Sequence, residues 1–225
     1  MDRRIMNRAL QVYGALLLEM VLFFIGAGTL EVLRGWLYFG MYFAYIVVNS
    51  AILLKRAPDL IRARSELKKG EAWDRYIIVA YTALSMFLLP YLAGLDAGRL
   101  LPEFSAEMII IGVMVFVSGG ALVTWSMLVN RYFEGSARIQ KEKGQTVISA
   151  GPYALIRHPG YLGMLLFLTS MVLIVGSAYA VIPAFALIAV MVVRTDLEDI
   201  MLRKKLRGYL RYSRRVRYRL IPHVW

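Results

Sequence analysis

Apolar residues in this chain come in long, nearly unbroken runs separated by short polar segments, and lack the alternation expected of elements with one wet face. Six runs stand out: roughly Ala9–Gly28, Trp36–Leu54, Tyr76–Leu92, Met108–Val129, Tyr161–Gly176 and Ala178–Val193. The first four have the ~17–25 residues needed to cross a bilayer core. The last two are shorter and meet at Gly176-Ser177, so they read as a tight helical hairpin shielded by the other helices. The expected fold is an all-α integral membrane protein with about six transmembrane helices, the last two a short hairpin. The first run has no convincing small-residue cleavage pattern and more runs follow it, so it reads as a span and not as a cleaved signal.

The polar segments divide into two kinds. Residues 55–75 place Leu60, Ile61, Arg64 and Leu67 at near-helical spacing. That pattern suits a short amphipathic helix on the membrane surface, and a solvated basic loop fits it equally well. After the sixth run no helix breaker occurs until Gly208. The spacing therefore predicts a helix leaving the membrane from Arg194 to about Leu206, followed by a second basic, Tyr-rich segment ending at Pro222. No segment is rich enough in Pro, Gly or Ser to mark a boundary, so residues 1–225 form a single membrane domain.

Charge then fixes an expected orientation. The chain holds 27 Lys and Arg against 15 Asp and Glu, a net +12, on a background that is 59% hydrophobic. In a polar protein that excess would suggest nucleic acid. Here all but two of the basic residues, Arg34 and Arg99, fall in the N-terminus, the second and fourth connections, and the tail. With six spans these segments share one side, which the bias of basic residues makes cytoplasmic. Both termini are then cytoplasmic, and the basic tail would lie against anionic lipid, so no nucleic-acid partner is needed. The chain has no Cys and only two His, His158 and His223, a composition that argues against a disulfide framework and a clustered metal site.

Three features are candidates for chemistry. Gly151-Pro152-Tyr153 and Arg157-His158-Pro159-Gly160-Tyr161-Leu162-Gly163 crowd Pro, Gly, Tyr, Arg and His into one span entry. Pro and Gly fix an irregular backbone and let it approach a ligand, with Arg157 and His158 placed to meet an anion. A plain helix start with Pro159 in its first turn accounts for the same residues. Arg194 and Glu198 share a helix face at i and i+4, where the sixth run meets the cytoplasm. They suit either a cavity or an interfacial salt bridge. Glu19, the one acid inside an early run, suits structural pairing or substrate contact.

At the first two of these features the sequence resembles the isoprenylcysteine carboxyl methyltransferase family, itself related to the phospholipid methyltransferases. The resemblance rests on Gly151-Pro152-Tyr153, Arg157 to Gly163, the run Arg194-Thr195-Asp196-Leu197-Glu198-Asp199-Ile200-Met201-Leu202, and Leu220-Ile221-Pro222. It covers about residues 130–222. Asp199 stands where the family usually has a second Glu, and Gln145 where the eukaryotic enzymes usually have His. The resemblance implies an S-adenosylmethionine pocket on the cytoplasmic side. Gln140, Gln145, Thr146, Val147 and Ile148 would contact the cofactor, Tyr153 and His158, Pro159, Gly160 and Tyr161 would continue the pocket, and Glu198 would close it. Arg194 would meet the acceptor, making Arg194 and Glu198 the catalytic pair, with no metal involved.

The residue types suit that chemistry. Methyl transfer from a sulfonium is an in-line displacement, so placement dominates. A carboxylate acceptor is already ionised near pH 7, and Arg194 can hold it by charge-assisted hydrogen bonds. Tyr rings and Glu198 favour the cationic sulfonium over its neutral product. The sequence therefore predicts a membrane methyltransferase acting on a lipophilic acceptor that enters between helices from the bilayer. An isoprenylated cysteine carboxylate is the acceptor the resemblance implies. A phospholipid amine or a small thiol is the alternative, and a non-enzymatic small transporter or lipid-binding protein is the reading from a different class.

Overall fold

The computed structural model describes residues 2–65, 70–99 and 105–225. The described residues form helices, turns and irregular connections, with no strand. In chain order the helices are α1 (Arg3–Ala27), α2 (Leu33–Arg56), α3 (Pro58–Arg64), α4 (Ala72–Thr82), α5 (Leu89–Arg99), α6 (Ala106–Val129), α7 (Pro159–Met171), α8 (Val181–Lys205) and α9 (Tyr209–Arg215). A π-helical segment, Ala83–Leu88, joins α4 to α5 into one rod, and a second, Val172–Gly176, ends α7.

Five of these rods are long and apolar enough to cross a membrane: α1, α2, the joined α4–α5, α6 and α7 with its π turn. The sixth apolar run enters α8, whose apolar part spans only 181–193 before Arg194, shorter than the ~20 residues a full span asks for. The hairpin expected from the last two runs is present as α7 and α8, joined through Ser177–Ala180. Its turn is tied to α5 by Asp96, whose carboxylate accepts from Ser177 Oγ at 2.9 Å and from Tyr179 N at 3.0 Å.

Apolar helices in lipid gain no hydrophobic drive from meeting one another, so close backbone approach through small residues takes over. A Cβ on Gly94 of α5 would sit 1.9 Å from the Phe23 carbonyl oxygen of α1, and one on Gly119 of α6 would sit 2.5 Å from Phe167 N of α7. Neither position accepts a side chain. Aromatic rings fill the layer between these pairs: Phe23, Tyr38, Phe39, Phe116 and Phe167 are all buried in one cluster.

One outcome differs from the sequence expectation and one follows it. The helix expected within 55–75 exists as α3, but Leu60 and Ile61 are buried against Leu53 and Met127 of the protein. Its apolar face meets α1 and α2, not lipid; Leu67 lies outside the described residues. The exit helix forms as expected, running unbroken through the charge boundary to Lys205. There Gly208, at φ 87°, lets the chain turn into α9.

Candidate functional site

The start of α1, the end of α2, α3, the start of α4, the end of α6, the start of α7 and the charged half of α8 all lie at one end of the bundle. Bonds across this end show it: Arg62 to Asp2 at 2.7 Å, Gln11 Nε2 to the Ser65 carbonyl at 3.1 Å, and Arg64 Nη1 to the Phe133 carbonyl at 3.1 Å. The irregular segment 130–158 is folded here between α8 and α9.

Asn130 starts that segment. Its Oδ1 accepts from Tyr132 N at 2.9 Å and its Nδ2 donates to the Tyr153 hydroxyl at 3.1 Å, so one side chain gathers both ends of the loop. Gln140 folds the middle: its backbone N donates to Gln145 Oε1 at 2.7 Å and its Nε2 donates to the Tyr132 carbonyl at 2.7 Å. Outside, Glu134 joins Arg138 and Lys143, each at 2.9 Å. The Tyr212 hydroxyl of α9 donates to the Tyr153 carbonyl at 2.6 Å.

Asp199 holds the tail to this loop. Its carboxylate accepts from Arg157 Nε at 2.7 Å and Nη2 at 3.0 Å, and from the Tyr209 hydroxyl at 2.9 Å, with Arg203 at 2.9 Å. The other face of the Arg157 guanidinium donates to the carbonyls of Val216 and Arg217 at 2.8 and 2.7 Å. Backbone bonds from Arg157 N to the Tyr218 carbonyl and from His158 N to the Arg219 carbonyl add a second stitch. Burial alone raises the Asp199 carboxyl, but the neighbouring His158 ring and Arg157 guanidinium outweigh it and hold its pKa well below the usual carboxylate range. Burial pushes the Tyr209 hydroxyl up, reinforced by the Asp199 charge, so Tyr209 stays a donor.

Loop, α7, α8 and α9 together enclose a cavity of about 790 Å³ including its open mouth. Gln140, Gln145, Thr146, Val147, Ile148, Tyr153, His158, Gly160, Tyr161 and Glu198 all line it. Of the cofactor set read from the sequence only Pro159 does not. It occupies the first turn of α7, where its fixed φ suits the helix start. Glu198 is half-buried and accepts from the Tyr161 hydroxyl. The Tyr161 ring stacks on His158, with centroids 5.6 Å apart and planes 9° from parallel.

Three buried side-chain atoms among the described residues have no hydrogen-bond partner: Gln140 Oε1, His158 Nε2 and Arg64 Nε. The first two belong to residues lining this cavity. His158 Nε2 is 3.6 Å from Asp199 Oδ1, too far for a hydrogen bond. Buried polar atoms are almost always satisfied, so these two atoms, on residues of the cavity wall, stand out.

Arg194 does not line this cavity. It is buried, with Nε 3.0 Å from Asp74 Oδ1 and Nη2 2.7 Å from the Gly135 carbonyl, and its guanidinium lies 5.2 Å from the Tyr161 ring centre. Asp74 Oδ2 also accepts from Ala137 N at 2.6 Å. The salt bridge open to Arg194 at Glu198 does not form, because Asp74 engages the guanidinium. Arg157, a candidate from the sequence for meeting an anion, bonds Asp199 and also lines the cavity. Asp74, Asn130, Tyr132, Phe133, Tyr209 and Tyr212 were not singled out from the sequence. The available signal was weak: an Asp in the first turn of a span, and tyrosines repeating in a basic tail.

A helical membrane bundle with a polar cavity built at the entry of its last hairpin defines the class. A family model described as phospholipid methyltransferase matches residues 108–207, which takes in α6, the loop, α7 and α8. That similarity supports a membrane methyltransferase family acting on lipophilic substrates. No curated protein matches the chain closely enough to count as a relative.

Proposed function

We propose that the protein transfers a methyl group from S-adenosylmethionine, held in the cavity between the 130–158 loop, α7, α8 and α9, to a lipophilic acceptor. The observation carrying this reading is the convergence of Gln140, Gln145–Ile148, Tyr153, His158, Gly160, Tyr161 and Glu198, spread over about a quarter of the chain, on one cavity with two orphaned polar atoms. The residues fit the group. Gln140 Oε1 suits an amino or ammonium N–H, and the Glu198 carboxylate among Tyr132, Tyr153, Tyr161, Tyr209 and Tyr212 suits a cation. When bound, the cofactor supplies an electrophilic methyl on a positively charged sulfur.

The remaining work belongs to the chain's residues. Tyr161 fixes the Glu198 carboxylate by its hydroxyl, so negative charge is held at a set position on the cavity wall. Arg194, bound by Asp74 and Gly135, acts as a positioning residue: it braces the Tyr161 ring and the loop start. Phe133 packs against Gly160, where a Cβ would meet its ring at 2.3 Å, and forms part of the cavity wall. A carboxylate acceptor needs no base to remove a proton, which leaves His158 and Glu198 of the lining to the cofactor. Carboxyl O-methylation is accordingly the favoured reaction, and the basic end of the bundle, with both termini, faces the cytoplasm.

Purified protein incubated with S-adenosylmethionine labelled in the methyl group and a panel of lipophilic carboxylates, amines and thiols tests this. Carboxyl methyl esters release volatile methanol in base, whereas N- and S-methyl groups do not. Base-labile label on the carboxylates supports the favoured reading. Label that stays fixed on amines or thiols moves the protein to the alternative acceptors, and no transfer to any class rejects the proposal.

A further inference from the structure

A second cavity, of about 1,340 Å³ including its opening, lies between α1, α2, α3, α6 and α7 on the other side of Phe133. Most of its wall is hydrocarbon or aromatic, with Val12, Ile46, Leu54, Met127, Met164 and Phe167 along it. Its basic end carries Arg8 and Arg64. Among the described residues neither hydrogen-bonds a carboxylate, and Glu134 acts on Arg64 only through space: Arg8 Nη1 meets Gln11 Oε1 at 3.2 Å and Arg64 Nη1 meets the Phe133 carbonyl at 3.1 Å. Arg64 Nε is buried with no partner among the described residues. Burial, then the like charge of Arg8, push the Arg64 guanidinium down to about 10.

Two cations at one end of an apolar chamber ask for one kind of occupant. An anionic head relieves both charges, and a hydrocarbon tail matches the rest of the wall. A lipid amine would bring a third positive charge to the same end. The Arg64 guanidinium lies 5.2 Å from the Phe133 ring centre, and Phe133 lines both cavities. A head held on Arg64 is therefore one ring away from the cavity of Glu198 and Tyr161.

We propose that this second cavity binds an acidic amphiphile, its carboxylate or phosphate head on Arg64 and Arg8 and its tail among the apolar side chains, with Phe133 as the partition toward the first cavity. That the amphiphile is the methyl acceptor rests on the function proposed above; that the cavity binds it does not. Specificity for the head then comes from Arg64, outside the signature that the sequence reading emphasised, and not from Arg194.

The full chain in phosphatidylcholine nanodiscs is titrated with dodecanoate, dodecyl phosphate, dodecanol and dodecylamine, read by displacement of a fluorescent fatty acid. Both anions, or one of them, are expected to bind about tenfold more tightly than dodecanol, and the amine more weakly; the tighter anion identifies the head. Arg64→Gln removes that preference and leaves dodecanol unchanged, while Arg64→Lys keeps part of it. S-Adenosylhomocysteine binding by Arg64→Gln stays at the wild-type value, showing a folded protein; if that variant does not fold, Arg8→Gln gives the same comparison. Anion preference that survives both substitutions, or dodecylamine binding as tightly as dodecanoate, overturns the proposal. Anion preference in a wild-type protein that binds no S-adenosylhomocysteine keeps the cavity and removes the methyltransferase reading.

Discussion

Replacing Asp199 by Asn removes one charge while keeping shape, and it tests the device that closes the candidate donor cavity. The Asp199 side chain is 0% exposed and that of Arg157 1%. Arg203 and Arg219, also within reach of the carboxylate, are 38% and 23% exposed and can turn to water. Arg157 cannot. Breaking a buried ion pair by neutralising one partner costs about 3–5 kcal/mol. At roughly 2–4 °C per kcal/mol for a chain of this size, Asp199→Asn should lower the melting temperature by about 6–20 °C. Thermal unfolding in mild detergent, followed by tryptophan fluorescence, reads this directly. Adding Arg157→Met to Asp199→Asn should cost much less than Arg157→Met costs alone, because the stranded cation is gone. A single-variant shift below about 2 °C, less than 1 kcal/mol on that scale, or full additivity in the pair, would refute the reasoning.

Other expectations follow from the same geometry. Because the folded Asp199 pKa lies below its unfolded value of about 3.9, its contribution is complete above that pH and is lost as pH falls beneath it. Wild-type stability should therefore drop more steeply below about pH 4 than that of Asp199→Asn, as acid titrations of melting temperature will record. Gly160→Ala should push Phe133 off the cavity wall and cost about 1–3 kcal/mol by overpacking, with tritium-labelled cofactor binding reduced in the fraction that folds. Glu198→Gln should weaken S-adenosylmethionine about tenfold, or ~1.4 kcal/mol, and its neutral product much less; equal losses for the two would remove the charge role given to Glu198. Asp74→Asn should strand Arg194 and lower the turnover number more than it raises the Michaelis constant of the cofactor, with Asp74→Glu restoring part of the rate.

What the sequence made visible follows from range. Apolar runs report burial in lipid residue by residue, so α1, α2, α4–α5, α6 and α7 were legible, as was the unbroken passage of α8 through Arg194. The cavity lining was legible through a resemblance, and Gln140, Tyr153, His158 and Glu198 reach one cavity. Partners were not. Arg194 finds Asp74 120 positions away and Arg157 finds Asp199 42 positions away; no local spacing encodes either bond. Helical spacing in 55–75 showed that an apolar face exists but not what covers it. That face turned out to meet Leu53 and Met127, and the same turn placed Arg64 on a cavity.

The most direct test is calorimetric titration of purified wild-type protein with S-adenosylmethionine, beside His158→Ala, Glu198→Ala and the distant exposed variant Glu31→Ala. Saturable 1:1 binding is expected for wild type and Glu31→Ala, with affinity lost by tenfold or more in His158→Ala and Glu198→Ala. No binding by the wild type, or equal affinity in all four proteins, would contradict the assignment of that cavity to the cofactor.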